Sequence, residues 1–300
     1  MTRPDVRVGT ASWTEKTLLE SGAFYPPTAR TAEQRLRFYA QRFGVVEVDA
    51  TYYALPSARN AAAWVERTPA GFLFGVKAFA AMTGHPVEPT RLDRDLQAAL
   101  PAAMRRARQL HARALPADVV AEIWQRFRAN LEPLVVAGKL AYVLLQMPPW
   151  FRPGAESWQQ LDDAAARLPG LPCAVEFREA GWLSEGRADD TLERLRERGL
   201  AYVCVDEPQG TAASVPPVAA STSDALAVVR FHGRRRETWT RAGAPTTERF
   251  RYLYQTGELA EWVPRIRTLA KASRRVLVLM NNCYRDYAVQ NAQDLAALLA

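Results

Sequence analysis

VVEVDATYY, residues 45–53, opens on valines and then sets Glu47, Asp49, Thr51 and Tyr53 at alternate positions. Successive side chains of a strand point to opposite faces, so these four share one face. An apolar start that turns polar only at its C-terminal end is the profile of a strand buried in a parallel sheet. The same profile recurs at residues 6–12, 72–78, 141–147, 173–178, 201–206, 225–233 and 275–282, which makes eight runs. Residues 31–43, 57–68, 156–168, 189–198, 256–272 and 286–299 carry helical periodicity between them. The first opens on Thr31 as an N-cap with Glu33 behind it, and places Leu36, Tyr39, Ala40 and Phe43 on one stripe. Residues 79–139 predict two helices split by Pro116, and 208–223, with Gly210 and Pro216–Pro217, predict a long loop.

Eight strands alternating with helices predict a single (β/α)8 barrel of the TIM type over residues 1–300, with a helical insertion at about 80–138 between strands 3 and 4. The alternative, an open doubly wound sheet, is disfavoured. Gly9-Thr10-Ala11-Ser12-Trp13 follows the first strand without the GxGxxG spacing of a phosphate turn.

Composition narrows the function classes. Hydrophobic residues make up 48% and charged residues 24%, enough for a packed core and too apolar for a disordered chain. The longest apolar runs, such as 276–280, fall far short of the ~20 residues of a membrane helix. Arg3, Asp5 and Arg7 precede any apolar stretch, so no secretory leader is expected. Cys173, Cys204 and Cys283 are too far apart for a disulfide framework or a CxxC knuckle. The expectation is a cytoplasmic protein with no membrane partner. The formal charge is +7, and seven arginines fall within 230–251. With Arg105, Arg106, Arg108 and Arg113, this balance favours nucleic acid, phosphorylated metabolites or carboxylates as partners, although a solvated arginine-rich surface explains it equally well.

The chemistry is concentrated where the runs end. Strand 1 ends in Ser12 and Trp13, strand 2 in Glu47, Asp49, Tyr52 and Tyr53, strand 3 in Lys77, and strand 4 in Gln146. Strand 5 carries Glu176 and Arg178, strand 6 Asp206, strand 7 Arg230 and His232, and strand 8 Asn281 and Asn282. Active sites of parallel barrels are built at that end. Glu47, Lys77, Glu176, Asp206 and His232 are the candidate catalytic groups, because crowding separates the pKa values of paired acids and bases. Arg178 and Arg230 suit a carboxylate or phosphate held bidentately. Gln146, Asn281 and Asn282 would orient hydroxyls or carbonyls, with Ser12 and Asp49 beside them. Trp13, Tyr52, Tyr53 and Trp182 offer flat faces for a ring. A network of buried salt bridges that only closes the barrel top would use the same residues.

Glu176, Asp206 and His232 stand on successive strands, in the order seen in metal-dependent sugar epimerases. Arg178 and Arg230 would oppose a divalent ion there, and Asn282 stands where a fourth carboxylate would be needed. No metal and no cofactor are therefore expected. His85 and His111 fall in loop or helix, and Cys173 and Cys204 read as core.

The chain resembles the YecE-like family, also known as domain of unknown function 72. GTASW (9–13), FYPP (24–27), VEVDATYYALPS (46–57), FLFGVKA (72–78), LLQMPPWF (144–151), AVEFREAGW (174–182), CVDEP (204–208), VRFHGR (229–234) and MNNCYRDYAVQNA (280–292) carry the likeness. The family is similar to xylose-isomerase-like and endonuclease-IV-like barrels. The resemblance implies a shared mouth of Trp13, Glu47, Tyr52 or Tyr53, Lys77, Gln146, Glu176, Arg178, Asp206, Arg230, His232 and Asn282. Asp49-Ala50 stand where Asn-Ser is common, and Glu179 where His follows the EFR motif, which removes one basis for a histidine mechanism. No reaction comes with the family name. The residues themselves lean toward an enzyme of isomerase, epimerase, lyase or hydrolase type, performing acid–base chemistry on a small anionic or sugar-like molecule. The alternatives are a nucleic-acid-binding or DNA-processing protein and a ligand-binding barrel without turnover.

Overall fold

The computed structural model describes residues 5–211, 214–241, 243 and 245–300. Arg3 of the charged N-terminal stretch and residues 212–213 of the 208–223 loop lie outside them. Eight strands pair in parallel in chain order and close on themselves: β1 (Asp5–Thr10), β2 (Val45–Val48), β3 (Leu73–Lys77), β4 (Leu140–Gln146), β5 (Cys173–Glu176), β6 (Ala201–Asp206), β7 (Ala227–Phe231) and β8 (Arg275–Met280). β8 closes the ring by pairing with β1 over its whole length, from Asp5 against Arg275 to Thr10 against Met280. The chain is a TIM-type (β/α)8 barrel. Among the described residues no helix is long and apolar enough to cross a membrane.

Several strands stop earlier than their composition predicts. β2 ends at Val48, and Asp49–Tyr52 form a 3-10 turn. The Thr51 hydroxyl donates to the carbonyls of Val48 and Lys77, and so turns the chain away from the ladder. Thr51 and Tyr53 thus leave the face they would have shared with Glu47.

The first helix of the predicted set, Ala32–Ala40, is capped as expected by Thr31, with Gln34 rather than Glu33 completing the capping box. It buries Leu36 and Tyr39. The Tyr39 hydroxyl bonds Thr10 and the Val45 carbonyl, tying β1 to β2. The 256–272 segment divides into Thr256–Ala260 and Val263–Ala272, because Pro264 cannot continue the preceding helix. The insertion between β3 and β4 is more broken than two helices. Short 3-10 turns and two short α-helices, Arg94–Ala99 and Ala102–Arg105, occupy residues 80–114, and Pro116 then opens the helix Ala117–Asn130. Its side chains Val87, Leu92, Leu96, Leu100 and Leu110 are buried, while Arg105, Arg106, Arg108, His111 and Arg113 are exposed.

Candidate active site at the barrel mouth

Arg230 on β7 is completely buried, and its two terminal nitrogens each meet a carboxylate. Nη1 lies 2.5 Å from Glu176 Oε2 on β5, and Nη2 lies 2.5 Å from Glu47 Oε1 on β2. Nη2 also stands 3.6 Å from Asp49 Oδ1, just past the end of β2. An unpaired guanidinium in this position would cost several kcal/mol, and the carboxylates offset that penalty. The second oxygen of Glu47 accepts the Tyr142 hydroxyl of β4 at 2.8 Å. Tyr142 reaches it by crossing Gly75 of β3, where a Cβ would sit 2.4 Å from the ring carbon Cζ.

Glu176 Oε1 accepts from Gln146 Nε2 at 2.6 Å and Arg178 Nη1 at 3.3 Å. His232 Nε2 is 3.2 Å from the same oxygen but off the donor–acceptor line, so it has no hydrogen-bond partner. On the other side of the ring, Nδ1 meets Asn281 Nδ2 at 2.9 Å. An amide nitrogen donates, which leaves the proton of a neutral His232 on Nε2, facing Glu176. Trp239 and Phe250, from the segment after β7, lie against the imidazole with ring centroids 6.0 Å away.

The environments of these acids differ. Burial pushes Glu47 up to about 7, with Arg230 opposing the rise and Asp49 adding to it. Burial pulls Glu176 the same way, but Arg230, His232 and Arg178 together hold its carboxyl well below the usual carboxylate range. His232 is driven down to about 4 by burial and is neutral at pH 7. Glu207, one residue beyond β6, is lifted to about 7 by burial against the pull of Arg178, whose Nη1 is 3.4 Å from Glu207 Oε2. The mouth thus combines one permanent carboxylate with two carboxyls that exchange protons near neutrality, an arrangement suited to acid–base work.

Above this floor the groups become partly exposed. Lys77 Nζ stands 3.7 Å from Asp49 Oδ1 and 4.8 Å from the centre of the Tyr52 ring. The Arg178 guanidinium lies over Trp239 at 4.4 Å. Four polar atoms of this one cluster, Asp49 Oδ1, Glu207 Oε2, Arg230 Nε and His232 Nε2, are buried without hydrogen-bond partners. Such atoms are rare in a packed core, and four of them in one cluster make the mouth the candidate site.

The structure brings Glu47, Lys77, Glu176, His232, Asp49, Tyr52, Gln146, Arg178, Arg230 and Asn281 together, and Tyr53 stands on the rim. Asp206 does not join them. Its carboxylate accepts from Tyr254 Oη at 2.6 Å, Trp262 Nε1 at 2.7 Å and Arg234 Nη2 at 2.7 Å, all on the helical side of the sheet. Trp182 offers no open face: it is fully buried, stacked between Phe151 and Phe177, with its indole N–H on the Phe151 carbonyl. Trp13 is buried edge-on against Trp64. Asn282 bonds the Tyr252 carbonyl and Asn291, away from the cluster. Ser12 turns its hydroxyl to the Thr14 amide. With Asp206 facing outward, the strand 5–6–7 triad does not converge. Among the described residues no group of three or more His, Cys, Asp or Glu side chains is arranged to hold a metal ion.

Two cluster members escape a reading of run ends, Glu207 and Tyr142. Tyr142 shares strand parity with Gln146, which was the available signal. A cavity of about 290 Å³, walled by Arg234, Arg236 and Arg265 among others, lies behind Glu207 and shares only that residue with the cluster.

The comparisons agree with this architecture. The model of the family described as "Protein of unknown function DUF72" matches residues 7–300. The UPF0759 protein YunF of Bacillus subtilis (strain 168) is 34% identical over 281 residues, covering 92% of this chain and 90% of YunF. A DUF72 family protein from Thermotoga maritima MSB8 superposes with a TM-score of 0.76 at 28% identity, over 98% of this chain and 99% of that one. One from Enterococcus faecalis V583 superposes with a TM-score of 0.78 at 24% identity, over 98% and 95%, a likeness of fold. The chain belongs to the DUF72 family.

Proposed function

We propose that the barrel mouth binds a small organic anion and moves a proton on it. The observation that carries this reading is the pair Glu47 and Asp49, whose oxygens lie 2.5 and 3.6 Å from the same Arg230 nitrogen while only Asp49 is partly exposed. Lys77 and Arg178 are the clamp: both are partly exposed cations at the mouth, and each also leans on an aromatic ring. Asp49, whose Oδ1 is turned inward to Arg230 and Lys77, takes the substrate proton on the exposed side of its carboxylate, and Glu47, held at about 7, is the reserve of protons behind it. Glu176 stays ionised and fixes Arg230, so the clamp and the base keep their places through a turnover. Chemistry of this kind belongs to isomerases, epimerases and lyases acting beside a carboxylate or phosphate.

A thermal-shift panel of small carboxylates and sugar phosphates tests it, followed by incubation of each hit in D2O with proton NMR. The expected result is loss of one substrate C–H signal with wild type. Asp49→Asn should slow that exchange by about 10²-fold or more, the scale of a lost general base, and Lys77→Met should weaken binding. Saturable binding without exchange or product for every hit would reduce the protein to a binding barrel. No Lys77-dependent binding at all would overturn the reading altogether.

A further inference from the structure

The rim of the mouth is divided. The loops after β2, β3 and β4 carry a continuous line of aromatic rings: Tyr53 against Tyr52 at 5.0 Å, Tyr52 against His85 at 5.3 Å, and His85 against Trp150 at 5.8 Å. Tyr53 is 53% exposed and Trp150 55% exposed, the only aromatic side chains among the exposed large hydrophobics of the described residues. Exposed aromatic surface grouped beside a charged pocket marks a contact site rather than an accident of packing. His85 belongs to this wall as an uncharged ring. Burial, with Lys77 and Arg178 adding to the effect, drives it down to about 3, and its Nδ1 is paired with the Thr83 hydroxyl at 2.9 Å. Lys77 lies against this wall, its Nζ 4.8 Å from the centre of the Tyr52 ring, while Arg178 lies over Trp239, outside the line of rings.

We infer that the ligand is a hydroxylated ring bearing a carboxylate or phosphate, that is, a cyclic sugar acid or sugar phosphate, with its ring on the Tyr53–Trp150 wall and its anion between Lys77 and Arg178. This rests on the anion-binding reading above and adds the ring. An aromatic wall accepts the C–H face of a sugar, while the partly exposed Asp49 carboxylate supplies a hydroxyl acceptor that a purely apolar ring would leave unused. Trp150 was not among the residues nominated from the sequence. It follows Pro148–Pro149 directly after β4, and that short proline turn sets it on the rim.

The test is titration calorimetry of the full-length protein with glucuronate, glucose 6-phosphate, glucose, inorganic phosphate and AMP, with tryptophan fluorescence as a second signal. Wild type should bind at least one of the two ring anions about tenfold or more tighter than either glucose or phosphate. Trp150→Ala and Tyr53→Ala, both at largely exposed positions, should each weaken the ring anion roughly three- to tenfold and leave phosphate unchanged. Lys77→Met should weaken ring anion and phosphate alike. Glucuronate and glucose 6-phosphate separate a carboxylate from a phosphate requirement. Equal binding of phosphate and ring anions, insensitive to Trp150→Ala but lost in Lys77→Met, would overturn the ring assignment and leave the anion site standing. Tightest binding of AMP, weakened by Trp150→Ala, would replace the sugar with a nucleobase. Binding of no anion would remove both this inference and the reading beneath it.

Discussion

Gly75→Ala is expected to cost about 3–5 kcal/mol, because the added methyl would occupy the path by which Tyr142 reaches Glu47. The new Cβ would stand 2.4 Å from Cζ, 2.6 Å from the hydroxyl and 2.8 Å from Cε1 of that ring. Ordinary contact begins near 3.4 Å, so something must move by about 1 Å. β3 is held on both sides by β2 and β4, which leaves the ring as the part that gives way. Overpacking of a tight core costs roughly 1–3 kcal/mol. Withdrawing the phenol also breaks its 2.8 Å bond to the buried Glu47 carboxylate, worth about 1.5–3 kcal/mol for a bond to a charged group. Tyr142→Phe isolates the second contribution alone. In Gly75→Ala/Tyr142→Ala the methyl has neither a ring to meet nor a phenol bond to break, so the double variant should cost about 3–5 kcal/mol less than the sum of its singles. Urea unfolding of wild type, Gly75→Ala, Tyr142→Phe, Tyr142→Ala and the double variant, with stability extrapolated to water, measures each difference. A Gly75→Ala penalty under about 1 kcal/mol, or strict additivity in the double variant, would refute the idea that this glycine exists to admit the ring.

Two further outcomes follow from the same geometry. Glu207 has its folded pKa raised to about 7, so its contribution to stability is full below its unfolded value near 4.5 and is lost as pH rises through 7. Between pH 4.5 and 8 the stability of Glu207→Gln should therefore fall less than that of wild type, by up to roughly 3 kcal/mol, and parallel urea-derived curves would contradict this. Asp206→Asn should lose about 1.5–3 kcal/mol, since the buried Tyr254 hydroxyl and Trp262 N–H would lose a charged acceptor, while Arg234, partly exposed, keeps Glu261. At a temperature where the variant remains folded, anion affinity at the mouth should match wild type, and a selective loss of binding would return Asp206 to the site.

The barrel was legible because strands covered on both faces must be apolar throughout, and eight such runs at regular spacing admit few other closures. The strand ends were less legible. Residues 49–53 continue the composition of β2 but leave the ladder, the Thr51 hydroxyl taking up backbone carbonyls, whereas His232 and Asn281, just past the ends of β7 and β8, still donate backbone bonds to Asp206 and Phe231. Parity placed Asp206 with Cys204 and Tyr202 on one face but could not say which face. The register decides it: Val205 stands beside Arg230, while Asp206 stands beside Phe231, whose ring packs on Tyr254 and Trp262. The inward carboxylate is consequently Glu207, already off the strand, where no periodicity points to it. Trp182 and Trp13 looked like open platforms because an aromatic after a strand end looks the same in sequence whether it faces solvent or a helix. The rings that are open, Tyr53 and Trp150, differ only in having no helix packed over them.

Closing a barrel top does not require the cluster at its centre. A fully buried guanidinium between two fully buried carboxylates is often no better for stability than apolar side chains of the same volume. The outcome for the two acids is unequal although both touch Arg230 at the same distance. Glu176 also accepts from Gln146 and Arg178, has the His232 ring 3.2 Å away, and stays ionised. Glu47 receives one phenol and faces the Asp49 carboxylate, and rises to about 7. A network built only to neutralise Arg230 would gain most by ionising both partners fully. Placing Asp49 3.6 Å from the same nitrogen works against that, and it does so on the side where Lys77 and the partly exposed rim begin. The asymmetry leaves a carboxyl that titrates near neutrality directly behind the partly exposed Asp49, and the proposal of proton transfer at the mouth rests on that arrangement.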